Sequence, residues 1–157
     1  MPKKQSTIAL ITDFGLQDGY VGVMKGVISN INPSANVIDI SNTIAAQDIF
    51  QAACVLNNSY NYFPKGTIHV VVVDPGVGSD RKILCLKTED YTFLAPDNGV
   101  LSLVIEKEES SSIIEVTNDK FFLPKLSNTF HGRDIFAPVA AHLSKGVSHK
   151  ELGERVD

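Results

Sequence analysis

The stretch "TIHVVVVDPGVGSDR" (67–81) decides how this chain is read. Thr67 to Val73 is almost unbroken apolar and β-branched, the pattern of a strand covered on both faces and so internal to a parallel sheet. The run stops on a carboxylate, Asp74, turns through Pro75-Gly76-Val77-Gly78, and reaches Arg81 seven residues after Asp74. Gly76 and Gly78 permit positive φ and close backbone approach. A plain turn needs fewer special residues than this. The stretch therefore marks an internal strand and a candidate binding site at its carboxyl end.

Outward from it, strand-length apolar runs alternate with segments of helical period. "TIALIT" (7–12) reads as a buried strand, and Tyr20, Met24, Val27, Ile28 and Ile31 recur at helical spacing until Asn32-Pro33. Gly22 and Gly26, one turn apart, are expected to let this helix approach the sheet closely. "NVIDI" (36–40) is a second strand, followed by a helix with Ile49, Ala52, Ala53 and Leu56 inward and a stop at Pro64-Lys65-Gly66. "KILCLKT" (82–88) and "YTFLA" (91–95) are shorter strands, "GVLSLVIEKEE" (99–109) a helix and "SIIEV" (112–116) a further strand. "RDIFAPVAAHLSKG" (133–146) is a last helix, with Pro138 making its first turn irregular and Gly146 ending it. This alternation predicts an α/β domain over residues 1–157, with a largely parallel central sheet and helices on both faces in three layers.

Composition narrows the function. Of the 157 residues 43% are hydrophobic and 20% charged, a globular balance, and a net charge of −4 leaves no basic stripe for nucleic acid. Cys54 and Cys85 lie in apolar surroundings without metal-ligand spacing and read as reduced core thiols. "TIALIT" is too short for a signal peptide or membrane span, so a cytoplasmic protein without a membrane partner is expected.

In α/β sheets, ligands bind beyond the carboxyl ends of the strands. Asp13 ends the first strand, Asp74 the internal one, Asp97-Asn98 follow "FLAP", and His131, Arg133 and Asp134 precede the last helix. Asp13 is either a turn aspartate or a ribose clamp, since one carboxylate accepts from two vicinal hydroxyls. "DFG" (13–15) lacks the companion motifs of a kinase, and "DPGVGSDR" lacks the GK[ST] ending of a phosphate-binding loop. Asp74 and Arg81 are either a structural ion pair or, with His131, a set that holds and activates a water. A metal site from Asp13, Asp74, His131 and Asp134 competes, but no H-x-H or H-E-x-x-H motif supports it, and Arg81 would repel a cation. His69 and His142 read as structural.

Four segments, "ITDFGLQDGYVGVMKGVI" (11–28), "VVVDPGVGSDRK" (71–82), "LAPDNGVLS" (94–102) and "NTFHGRDIFAPVAAHLSKG" (128–146), together resemble the S-adenosylmethionine hydroxide adenosyltransferases, adenosine-forming hydrolases related to the fluorinases and chlorinases. The resemblance implies that Asp74, Arg81 and His131 hold the attacking water or hydroxide, that Asp13 holds the ribose hydroxyls, and that Phe130 and Gly132 line the sugar and the reacting carbon. Asp97 and Asn98 are taken as structural. The implied substrate is S-adenosylmethionine, cleaved without metal or other cofactor to adenosine and methionine. A carboxylate at position 74 disfavours halide use. The resemblance further implies a homotrimer and a C-terminal β-barrel domain that this chain lacks, its linker expected at "LGERVD" (152–157). Such a chain is expected to be inactive alone. The alternatives are a non-catalytic adenosine-binding or assembly fragment and, ranked lower, a halogenase or a metal-dependent hydrolase.

Overall fold

A computed structural model describes residues 5–108 and 111–156. Its seven strands are β1 (Thr7–Thr12), β2 (Asn36–Ser41), β3 (Ile68–Val72), β4 (Ile83–Lys87), β5 (Thr92–Pro96), β6 (Ser112–Glu115) and β7 (Arg155–Val156). They form one sheet in the order β2-β1-β3-β5-β4-β6-β7. The pairs β1·β2, β1·β3 and β3·β5 are parallel, whereas β4·β5, β4·β6 and β6·β7 are antiparallel. Five strands thus run one way and β4 and β7 the other. The reversal at β4 follows from the short β3–β4 and β4–β5 links, which leave no room for a crossover helix. Within "LGERVD", Arg155 and Val156 pair with β6.

Period-two alternation on the inner strands divides the core between the two faces. Ile8, Leu10, Val70 and Val72 point to one face, against α1 (Tyr20–Ile31) and α4 (Ala137–Ser144). Ile11, Val71 and Val73 point to the other, where α2 (Ile49–Ser59) supplies Ala52 and Leu56 and α3 (Ser102–Lys107) supplies Val104. The expected three layers are present.

Two local expectations change. α1 buries Val21, Met24 and Ile28, so Gly22 and Gly26 fall on its outer side, where an added Cβ meets nothing within 4 Å. They do not mediate sheet contact. The final helix starts at Ala137, preceded by a π-helical turn over Gly132–Phe136. Pro138 has no N–H for the Asp134 carbonyl one turn back, and the Leu123 N–H takes that carbonyl instead, at 3.0 Å. Among the described residues, no helix is long and apolar enough to cross a membrane.

Candidate active site

β1 leads through α1 to β2 on one side, while the chain returns through α2 to β3 on the other side of β1. The sheet order therefore switches direction between β1 and β3, and a crevice opens where the two outgoing loops part. Register sets their heights: Thr12 pairs with Val72, so Asp13 and Asp74 leave the sheet at nearly the same level. Asp13, Asp74, Phe130, His131 and Gly132 line one open cleft there, of about 390 Å³. Five of the six expected site residues line this cleft, and Arg81 does not.

Arg81 stands behind that cleft. Its Nε donates to both Asp74 oxygens, at 3.1 and 3.0 Å, and one terminal nitrogen reaches Oδ2 at 2.6 Å. The same terminal nitrogen lies 2.7 Å from His131 Nδ1. A guanidinium has no acceptor, so Nδ1 must be the acceptor and the proton of a neutral imidazole sits on Nε2. Burial, and then the Arg81 charge, hold the His131 pKa below its ordinary value; the Ser127 backbone, Asp74 and Asp134 pull weakly the other way. Both Asp74 and Arg81 are largely buried, at 5% and 12% side-chain exposure, which makes the pair less screened than a surface bridge.

The glycines of the 74–81 loop make this geometry accessible. A Cβ at Gly76 would press on Arg81 Cγ at 3.1 Å. Gly78, at φ 79°, lies against the Asn128 carbonyl with no room for a Cβ. Glycine there lets the loop after β3 dock on the loop that carries His131.

That second loop has its own anchor. Asp134 is 1% exposed and accepts from the Ser127 N–H at 2.7 Å and from Arg133 Nε at 2.6 Å. Ser127 Oγ in turn accepts from the Phe130 N–H at 2.9 Å. Phe130 meets Phe14 and Tyr20 edge to face, and Arg133 covers its ring. A Cβ at Gly132 would sit 3.2 Å from both Phe14 and Phe130, so glycine permits this aromatic wall to close. His131 immediately precedes the π turn, a feature common at functional sites.

Asn98 donates to the Val73 carbonyl at 2.9 Å and accepts from the Val100 N–H, pinning the end of β3 just before Asp74. Asp97 is exposed. Of the four residues of the competing metal site, Asp13, Asp74 and His131 share the cleft, but Asp74 is tied to Arg81 and Asp134 to Arg133. Among the described residues, no group of three or more His, Cys, Asp or Glu is placed to hold a metal ion. Both cysteines are free thiols.

Residues 8–153 match the family of the SAM hydroxide adenosyltransferase N-terminal domain. The chain belongs to that family. Among relatives of this chain, the (R)-S-adenosyl-L-methionine hydrolase of Methanocaldococcus jannaschii is 43% identical, over 95% of this chain and 58% of the relative. The hydrolase of the same name from Thermus thermophilus is 36% identical, over 95% and 61%. A fluorinase of Actinoplanes is 25% identical, over 93% and 57%. An uncharacterised conserved protein of Thermotoga maritima, known from its crystal structure, superposes with a TM-score of 0.93 at 47% identity, covering 96% of this chain and 58% of that one. The chain thus spans somewhat under two thirds of the length of these relatives.

The role of Asp134 and the presence of Gln47 at the site are not readable from the sequence. Asp134 reads as a polar residue before a helix and a candidate metal ligand, and its burial marks it instead as an anchor. Gln47 borders the cleft and donates its backbone N–H to Asp13 Oδ2 at 2.8 Å. Nothing in "AAQD" (45–48) announces a left-handed residue.

Proposed function

We propose that this domain, together with any chain that follows it in the natural gene product, hydrolyses S-adenosylmethionine to adenosine and methionine, by in-line attack of a water-derived oxygen on C5′. The observation that carries the reading is the Arg81 guanidinium joining Asp74 to His131 beside the cleft that Asp13 also lines. The names of the relatives at 36–43% identity support it.

The sulfonium of the substrate is already a good leaving group, so no acid is needed to expel it. The new bond forms between the oxygen and C5′, the C5′–S bond breaks, and its electron pair leaves with methionine as a neutral thioether. One water proton must be lost. Because His131 Nδ1 is occupied by Arg81, His131 is assigned as a hydrogen-bond donor through Nε2, and Asp74 as the group that takes the proton. Arg81 favours hydroxide character in the nucleophile. Asp13 clamps the ribose hydroxyls, while Phe130 and Gly132 bound the sugar and the reacting carbon. Alignment of this kind contributes about 7–11 kcal/mol. The reaction requires neither metal nor redox cofactor.

We also assign the protein to the cytoplasm and to a homotrimer without nucleic-acid or membrane partners, to be tested by light scattering. The function is tested by incubating the protein, with any chain that follows it in the natural gene product, with S-adenosylmethionine and measuring adenosine release. Adenosine should appear with wild type and be lost in Asp74→Ala. Equal release by both proteins would overturn the reading.

A further inference from the structure

Among the described residues, Gln47 is the one non-glycine with positive φ, at 63°. A side chain in that region is strained and persists where the surroundings hold it. Here they do. Asp48 caps α2 by accepting from the Gln51 N–H at 2.9 Å, and Gln51 reaches back to the Ala45 N–H at 2.8 Å. The preceding turn is tied to the end of β1, where Thr12 Oγ1 donates to Asn42 Oδ1 at 2.9 Å.

The left-handed turn aims the Gln47 N–H at Asp13 Oδ2, and the other carboxylate oxygen makes no hydrogen bond among the described residues. Glycine would make the same backbone bond without the strain. The backbone bond therefore does not account for a glutamine at this position. The Gln47 carboxamide is exposed, borders the cleft beside Asp13, and has no hydrogen-bond partner among the described residues.

We propose that Gln47 is a substrate-binding residue, its carboxamide completing with Asp13 the site for the hydroxyl-bearing sugar of the adenosyl group. The inference rests on the reading of Asp13 as a ribose clamp. A carboxamide both donates and accepts, and so can pair with a hydroxyl whose own proton is given to Asp13.

The test is adenosine affinity, measured by calorimetry on wild type, Gln47→Gly and Asp13→Asn, together with thermal unfolding. Gln47→Gly keeps the N–H and the turn but removes the carboxamide. It should raise Tm by about 2–4 °C as the strain is relieved. It should also weaken adenosine binding by about tenfold, the loss of one or two neutral hydrogen bonds. Undiminished affinity in Gln47→Gly overturns the inference. If Asp13→Asn is then also undiminished, the ribose-clamp reading falls with it; if Asp13→Asn binds weakly, only the role of Gln47 falls. A Gln47→Gly protein that melts lower and binds more weakly also overturns it, since the lost affinity would then report a collapsed loop.

Discussion

Gly78 sits against the Asn128 carbonyl at φ 79°, and through this contact the loop after β3 docks on the loop carrying His131. Gly78→Ala adds a methyl group where there is no space and a backbone conformation that alanine disfavours. It should destabilise the domain by about 1–3 kcal/mol, read by urea unfolding. Turnover should fall further than stability explains, because Arg81 and His131 then lose register. Unchanged stability and activity would mean that the two loops dock independently of this contact.

Arg81 should control the protonation of His131. Burial and the Arg81 charge keep the imidazole below its ordinary pKa, so Arg81→Gln should move that pKa upward in a histidine NMR titration. The same substitution should reduce adenosine release by roughly 10²–10³-fold, the usual cost of losing one preorganised charged donor. A His131 titration identical in both proteins would contradict the 2.7 Å contact.

Asp134 should matter for the shape of the site without touching substrate. Burial alone would raise its pKa, but hydrogen bonds from Arg133 and Ser127 outweigh burial and lower it. Its contribution is therefore present above the ordinary carboxylate pKa and lost as pH falls through the lower, folded value. Asp134→Ala strands the Ser127 N–H and should cost about 1–3 kcal/mol. The variant should also flatten the acid limb of the stability profile, measured by denaturant unfolding at stepped pH.

His69 supplies the clearest pH dependence of stability. It is fully buried on β3, stacked on Phe93 and ringed by Tyr60, Phe63 and Tyr91. Burial pushes its pKa down to about 4; the Tyr60 backbone opposes this weakly, yet neither ring nitrogen makes a well-formed hydrogen bond. The unfolded chain binds the proton near pH 6.5 and the folded chain only near 4, so stability is complete above 6.5 and declines as pH falls between those values. The loss is on the order of 3 kcal/mol. His69→Phe should flatten the decline between those two pH values, whatever it does to stability at neutral pH. An unaltered slope would reassign the acid sensitivity to other groups.

Much of this molecule is legible in its sequence. Apolar runs and helical periods located the strands and helices because those patterns record local burial, one residue after another. The carboxyl-edge rule then put Asp13 and Asp74 at one end of the sheet, and motif order added Arg81 and His131. Four features lay beyond that reading. Gly22 and Gly26 have helical spacing but say nothing of which side of α1 meets the sheet; Met24 and Ile28 decide that. The reversal of β4 depends on link length and pairing partners, not on the composition of "KILCLKT". The contact of Arg81 with His131 joins residues 50 positions apart, and the left-handed Gln47 is held by α2 on one flank and β1 on the other. Periodicity along the chain determined the elements and the edge of the sheet where chemistry sits. Strand order and the docking of two loops, set by long-range packing that no local pattern encodes, determined which polar atoms meet there.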